Sequence, residues 1–393
     1  MNIITFGKRG AYMQYKTFGN TGISMSALGF GAMRLPMDKT GDKVDYDKAT
    51  PLMHRAFESG VNYIDTAPGY CNEDSEVAVG KALKGWRDKV YLSTKNPIKD
   101  ASGDNWRKRL EGSLGKLDVD YIDFYHMWGI NIQSFREKID VPKGPIEAAM
   151  KALDEGIIKH LSFSFHDKPE NMIPIIDSGY FKSVLVQYNL LDRSNEESIA
   201  YAAKKGLGVV AMGPVGGGRL GAPSEKLRGM LEMEVHSTAE MALRFVHANP
   251  NIHIALSGME NLAMVDENVK VASIKGPLTA SEEEEVTRMF AENQKLSELY
   301  CTGCSYCLPC PQKVNIPKVF ELMNYHKVYG LTDYAKKEYL SLDIPLDDRR
   351  PKWLADFGYN TAKCVKCGVC VDKCPQKLKI IEQLMETDEA LRN

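Results

Sequence analysis

The segment Lys48–Tyr70, KATPLMHRAFESGVNYIDTAPGY, holds one full period of the chain's architecture. Its first part is an amphipathic stretch that stops at Gly60, the residue expected just past a helix C-terminus. VNYID follows as a short buried strand that ends on an acid, Asp65. The same alternation runs from about Met13 to Ser273. The short apolar runs are SALGFGA, VNYID, VYLST, YIDFYH, HLSFSF, SVLVQY, GVVAM and HIALSG. Between them lie helix-like stretches such as EVAVGKALKG, NWRKRLEGSLGKL, PIEAAMKALDEG, EESIAYAAKKG and TAEMALRFVHAN. Strand–helix alternation implies a parallel sheet. Eight repeats over roughly 250 residues match a (β/α)8 barrel, an α/β fold of the TIM type. An open doubly wound sheet is the alternative, but no GxGxxG turn follows the first strand.

The chain has 393 residues, a formal net charge of −2 and 44% apolar residues. Such a length suits a large barrel followed by a smaller unit. Near-neutral charge argues against nucleic acid or an anionic membrane as partner, since each needs a basic face. No apolar run approaches the ~20 residues that span a bilayer, and the first residues hold no signal-peptide run. A soluble, cytoplasmic protein is expected. The pattern changes after Ser273, where GPLTASEEEEVTRMFAENQ reads as a capped, acid-rich helix. The expected organisation is a lead-in over 1–12, the barrel over 13–280 and a mainly helical C-terminal domain over 281–393.

In a (β/α)8 barrel the C-terminal ends of the strands form the active site. Those ends carry Asp65, Lys95 and His126, with Tyr70 in the loop just past Asp65. Singly, each has a plain structural explanation: a buried ion pair, or a histidine packed in the core. Together they suit carbonyl reduction, in which a proton must reach the oxygen where charge develops. A phenol with a pKa near ~10 is a donor at neutral pH. Lys95 beside it would lower that pKa, Asp65 would hold the ammonium, and His126 would orient the carbonyl. The glycine run Gly216–Gly218 follows the seventh strand, where backbone N–H groups of such barrels commonly meet phosphate. Cys71, next to Tyr70, reads as an inert packing residue.

The stretches DTAPGY, LSTK and DYIDFYH, in this order, resemble the aldo-keto reductase family, whose tetrad is Asp, Tyr, Lys and His. The likeness runs from GFGAMRLP to SGMENLAMVDENV. It implies Tyr70 as general acid/base, Lys95 as its tuner, Asp65 as support and His126 as substrate orienter. It also implies a nicotinamide dinucleotide, NADP or NAD, bound without a Rossmann fingerprint. The positions that match its binding residues are Gly31, Met33, Arg34, Ser164, Met212, Pro214, Val215, Gly217, Gly218, Gly258, Met259 and Asn268. Three places depart from the family pattern. Ser-Asn after the fifth strand is Ser164-Phe165, and Met264 stands where Arg or Gln often meets the adenosine phosphate. The carboxamide-binding Gln falls on Leu185, leaving Gln187 two places on as its substitute. The substrate is expected to be a small carbonyl or alcohol, with Trp128 as a candidate aromatic wall.

Eight of the nine cysteines fall in two groups: Cys301, Cys304, Cys307, Cys310, and Cys364, Cys367, Cys370, Cys374. Disulfide frameworks belong to small secreted domains, and zinc knots to two separated C-x2-C pairs. The second group reads C-x2-C-x2-C-x3-C-P, the bacterial ferredoxin run for a [4Fe–4S] cluster, and the first is one residue shorter. In that pattern the fourth cysteine of each run crosses to the other cluster. Cys301, Cys304, Cys307 and Cys374 would hold one, and Cys364, Cys367, Cys370 and Cys310 the other. Some aldo-keto reductases carry such a C-terminal ferredoxin-like domain.

Two functions follow. The first is an NAD(P)H-dependent carbonyl–alcohol oxidoreductase with two clusters attached for electron transfer, redox sensing or structure. The alternative is an iron–sulfur electron-transfer partner protein whose barrel binds nicotinamide mainly for docking or sensing, as in the potassium-channel β-subunits that resemble this family. A redox partner protein is a further candidate partner in either case.

Overall fold

A computed structural model of the chain describes residues 13–190, 192–216, 220, 235–276, 278–288, 307–347, 358–374 and 378–393. The expected lead-in, together with Gly217, Gly218, Cys301 and Cys304, lies outside the described residues. The chain divides into two compact units, one of Met1–Gly217 with Ala242–Thr279, the other of Gly218–Met241 with Ala280–Asn393. No helix among the described residues is long and apolar enough to cross a membrane.

The first unit opens with an antiparallel pair, β1 (Tyr15–Thr17) and β2 (Ser24–Ser26). Eight parallel strands then close into a barrel: β3 (Leu28–Gly31), β4 (Tyr63–Asp65), β5 (Tyr91–Pro97), β6 (Ile122–Ile130), β7 (Ile158–Phe165), β8 (Ser183–Gln187), β9 (Gly208–Met212) and β10 (Ile254–Ser257). They neighbour one another in chain order, and β10 returns to pair with β3. The segment Lys48–Tyr70 is built as its sequence implies. A helix over Tyr46–Glu58 is capped by the Asp45 side chain, which accepts from the Lys48 N–H. Gly60 then takes φ 96°, a left-handed turn that delivers the chain to β4.

Further helices cover Ser75–Leu83, Gly103–Leu117, Pro145–Asp154, Met172–Asp177, Glu196–Lys204, Thr238–Ala248 and Leu262–Ala272. Met172–Asp177 is one that the periodicity reading does not name. It is six residues long, and Pro174 with its apolar neighbours makes it read as a short continuous run.

Period-2 alternation along the strands sorts their side chains. On β5, Thr94 and Asn96 point out toward helices, donating to Glu76 and to the Trp106 carbonyl. Ser93 and Lys95 therefore point inward. On β6, Tyr125 and Met127 meet Trp106 outside the barrel, so Phe124 and His126 point inward. The barrel interior is filled by Tyr63, Phe124, Leu185, Val210, Ile254 and Leu256, with Phe18 and Met25 brought in by the β1–β2 pair. Phe18 meets Phe124 edge-on at 5.2 Å between ring centres. The Asn20 N–H donates to the Gly206 carbonyl at 2.8 Å, so this plug sits where β9 begins, at the N-terminal end of the barrel. The opposite end is left to the site.

In the second unit, residues 280–288 are helical, as the acid-rich stretch implies. Helices over Ile316–Lys327, Thr332–Ser341 and Ile380–Arg392 pack together. A polar cluster lies between them. Asn360 donates to the Tyr339 carbonyl at 3.0 Å, Tyr339 donates its hydroxyl proton to Asp388 at 2.6 Å, and Arg392 pairs with Asp343 and Asp388.

Helix packing around the barrel makes a sharp demand at Gly80. A Cβ there would come within 2.2 Å of the Leu117 carbonyl oxygen, whereas one at Gly112 would meet nothing within 4 Å. Gly80→Ala is expected to lower stability by about 1–3 kcal/mol through overpacking. Gly112→Ala should raise it by about 0.5–1 kcal/mol through helix propensity. Paired thermal denaturation curves check both signs.

Candidate functional site

Asp65, the last residue of β4, is paired in register with Ser93 of β5, and Lys95 of β5 with His126 of β6. Adjacent strands and a common inward face therefore bring three of the four expected residues together. Ser93 donates to Asp65 Oδ2 at 2.8 Å, and Lys95 Nζ forms an ion pair with Asp65 Oδ1. Lys95 also donates to the Thr66 carbonyl at 2.8 Å. Both members of the pair are almost fully buried. Burial works to lower the Lys95 pKa, but the charges of Asp65 and Tyr70 outweigh it, and the net shift is upward.

Tyr70 completes the group. Lys95 Nζ sits 4.8 Å from its ring centre, and Trp128 packs edge-on against it at 5.8 Å. Here the structure departs from the expectation of a lowered phenol pKa. Burial raises it more than the Lys95 charge lowers it, so the net direction is up. The loop after Tyr70 is strained: Cys71, Asn72 and Glu73 take φ 49°, 54° and 70° in succession. Asn72 Nδ2 ties the loop to the Gly41 carbonyl at 2.8 Å. The Cys71 Sγ lies 3.5 Å from the Met33 carbonyl, and burial pushes its thiol pKa up, in keeping with an unreactive packing role.

His126 is fully buried, and apart from a weak approach to the Phe163 backbone neither ring nitrogen makes a hydrogen bond. A buried polar group left without a partner is a mark of a site completed by a ligand. Burial drives its pKa down to about 4, against the opposing charge of Asp65. A residue that sequence reasoning passes over, His166, sits at the same rim just after β7. Its Nδ1 lies 3.9 Å from where a Cβ on Gly129 would be, and burial and the Lys95 charge lower its pKa. Its position two residues past Ser164 was the available signal.

The described residues among those expected at the dinucleotide, which leave out Gly217 and Gly218, fall at the same C-terminal rim. Leu185 is in the barrel interior, and Gln187, two residues on and so on the same face, stands at the end of β8. Gly213 takes φ 62°, and a Cβ there would strike Gln187 Oε1 at 2.8 Å. Gly216 takes φ 61° and donates its N–H to the Gly213 carbonyl, curling Pro214 and Val215 into a turn after Met212. Gly31 and Gly258 face each other across β3 and β10, with Arg34 beside Gly258 and an exposed Met33 next to it. Ser164 accepts from the Gly129 N–H at 2.7 Å, and Asn268 donates to Ser257 Oγ at 3.0 Å. Met259 is buried and Met264 exposed. A glycine turn that a side chain would block at Gly213, on the rim that also holds His126, fits the phosphates of a dinucleotide.

In the second unit Cys310, Cys364, Cys367 and Cys370 line one small apolar cavity together with Val314, Ile316, Ile381 and Leu384. Lys366 at φ 56° and Gly368 at φ 84° turn the chain so that its three cysteines face one way. Asn360 caps the turn that precedes Cys364, accepting from the Ala362 N–H at 3.1 Å. Among the described residues no three Cys, His, Asp or Glu side chains close around a single ion. Four thiols spread about an apolar cavity instead fit an inorganic cluster, whose thiolates each take a different iron. Cys307 is buried and Cys374 half-buried, outside that lining.

Residues 27–290 match the model of the aldo/keto reductase family, and residues 300–378 that of a 4Fe-4S dicluster domain. An uncharacterized oxidoreductase of Bacillus subtilis, YqkF, is 26% identical over 296 residues, 67% of this chain and 92% of that protein. The L-galactose dehydrogenase of Arabidopsis thaliana is 28% identical over 283 residues, 65% of this chain and 87% of that one. Among solved structures, the holo form of an aldo-keto reductase from Bacillus halodurans superposes with a TM-score of 0.62 at 29% identity. That match covers 70% of this chain and 96% of the other. A Klebsiella pneumoniae aldo/keto reductase in complex with NADP and acetate shares the fold, with a TM-score of 0.59 at 22% identity over 71% of this chain and 95% of its own.

The buried, neutral His126 makes stability depend on pH. Its folded pKa of about 4 lies below the ordinary 6.5, so between these values the unfolded chain binds more protons. Stability is therefore full above the ordinary value and falls as pH drops toward the folded one. His126→Gln is expected to flatten this acid limb in melting curves recorded across that range, whatever it does to stability at neutral pH. Parallel limbs for the two proteins would remove burial of His126 as a cause.

Proposed function

The chain belongs to the aldo/keto reductase family and carries a 4Fe-4S dicluster domain, and from that premise we propose that it interconverts a small carbonyl and an alcohol by hydride transfer, using NADP(H) or NAD(H). The observation that carries this reading is the placement of Lys95 between a buried Asp65 and the ring of Tyr70, on the rim that also holds His126. A nicotinamide dinucleotide, when bound, supplies or accepts the hydride. Gln187, Ser164 and the turn Gly213–Gly216 are the residues that would hold it. The name of the Arabidopsis relative, a dehydrogenase, is in keeping with this reaction class.

The chain's own residues handle the proton. In the reductive direction Tyr70 donates its hydroxyl proton to the carbonyl oxygen as negative charge grows there. The raised pKa of the free site keeps the phenol protonated at neutral pH. The Lys95 ammonium, held by Asp65 and the Thr66 carbonyl, stabilises the phenolate that remains. His126 is neutral, so one of its nitrogens can donate to the carbonyl oxygen without a competing charge. Trp128, edge-on to Tyr70, walls the substrate side and keeps water from the ring. In the oxidative direction Tyr70 must first lose its proton, so oxidation gains rate as pH rises.

For the second unit we propose two [4Fe–4S] clusters, with the boundary between the two parts near residue 280. One is held by Cys364, Cys367, Cys370 and Cys310, the other by Cys301, Cys304, Cys307 and Cys374. The support is the shared cavity: Cys310 borders it with the three distant cysteines of the second run, although its own run lies more than fifty residues earlier.

Tyr70→Phe is expected to cut carbonyl reduction by a factor of about 10²–10⁴ while leaving nicotinamide affinity and iron content unchanged. Steady-state assays alongside a fluorescence titration read both; near-normal turnover in the variant would remove Tyr70 as the proton donor, whereas a wild-type protein that binds nicotinamide but turns over no carbonyl or alcohol would favour a barrel that only binds its dinucleotide. Iron and sulfide analysis of anaerobically purified protein should return about eight irons per chain; about four would overturn the pair of clusters.

A further inference from the structure

The cysteines around the cavity differ sharply in exposure. Cys370 is buried, whereas Cys367 is exposed to solvent. Beside it stand two apolar residues that a folded domain would ordinarily cover, Val365 at 62% and Val369 at 38% exposure. Around these lie exposed lysines. Lys363 and Lys366 precede Cys364 and Cys367, and Lys373 precedes Cys374. Lys313 sits beyond Pro311 and Gln312 on the cavity's edge, its N–H donating to the Cys310 carbonyl at 2.9 Å. Residues 361–380 hold five lysines against one aspartate, a net +4 in a chain whose total is −2.

These features concentrate at one place: an exposed ligand, a small apolar centre and a basic rim. We propose that the surface around Cys367, Val365 and Val369, ringed by Lys313, Lys363, Lys366 and Lys373, docks an acidic one-electron carrier protein that exchanges electrons with the cluster at Cys310, Cys364, Cys367 and Cys370. The proposal rests on the cluster reading above. Positive charge around the contact draws an acidic partner in and orients it, and a small apolar centre suits a complex that must part again quickly. Electron-transfer encounters belong to the smaller, weaker interfaces. The step is a single electron transfer with no bond made or broken. The reduced carrier loses one electron, the oxidised cluster gains one, and a reverse transfer restores both.

The test is stopped-flow reduction of the oxidised, full-length holoprotein by a photoreduced acidic [2Fe–2S] ferredoxin, followed by bleaching of the cluster absorbance. The second-order rate should fall as salt is added, because screening weakens the attraction. Lys366→Glu with Lys373→Glu should lower the low-salt rate by about tenfold or more, without slowing reduction by the methyl viologen radical cation. Equal rates and equal salt dependence in the two proteins would overturn the proposal, as expected if a second copy or another part of the chain covers the patch. Iron content and the EPR spectrum are measured on the same samples. Should the double variant lose iron, Lys313→Gln with Lys363→Gln takes its place, with an expected loss of about threefold. A wild-type preparation without iron overturns the cluster reading and this proposal together, whereas loaded clusters with charge-independent rates overturn this proposal alone.

Discussion

An ammonium and a carboxylate buried against each other at the mouth of the barrel set the terms for everything near them. Taking Lys95 and Asp65 out of water costs several kcal/mol per ion, and their attraction offsets this only when the remaining hydrogen bonds are made. The structure makes them, with Ser93 on one carboxylate oxygen and the Thr66 carbonyl on the ammonium. Each strand contributes a fixed element: β4 the carboxylate, β5 the ammonium and its hydroxyl neighbour, β6 the histidine beside them. Closure of the barrel keeps the pair dry. The pair in turn fixes a positive charge under the Tyr70 ring, where a developing phenolate is most in need of it.

The eightfold alternation was legible because buried parallel strands must be apolar on both faces and helices must carry an apolar stripe. Those demands leave their mark at every repeat, and Met172–Asp177 escaped only because a proline and a run of apolar residues erased its period. The tetrad was legible for a related reason. Strand ends are recognisable, and polar residues do not otherwise belong at the end of a buried run. What the sequence could not display was the balance of opposing effects. Lys95 does pull the Tyr70 pKa down, yet burial pushes it up further, and no spacing of residues reveals which is larger. His166 stayed hidden because it lies one residue past the end of β7, where nothing in the apolar run marks it as facing the site.

The cysteine unit shows how little regular structure a cluster site requires. Its cavity is made by two tight turns, a few aliphatic side chains and the C-terminal helix, which supplies Ile381 and Leu384. That helix is held by Arg392 and Asp388, which meet Tyr339 and Asn360, and Asn360 in turn caps the turn before Cys364. Residues of the C-terminal helix thus steady Cys364, the first cysteine of the second run. Gly358 serves the same region from the other side: a Cβ there would fall 2.1 Å from the Lys313 carbonyl oxygen, so the segment after the first cysteine run and the segment before the second meet backbone to backbone.

The three left-handed residues after Tyr70 carry a consequence for heredity. Each non-glycine residue in that conformation costs roughly 1–2 kcal/mol, and a branched Cβ makes the cost prohibitive. Codons at Cys71, Asn72 and Glu73 are therefore hemmed in, since a change to Val, Ile or Thr would shift the backbone that carries the phenol. Their own side chains carry no step of the reaction, so their importance lies in the backbone they hold. Variation should be purged there by geometry alone, and a lineage drifting in its substrate would find this turn the last part of the rim free to change.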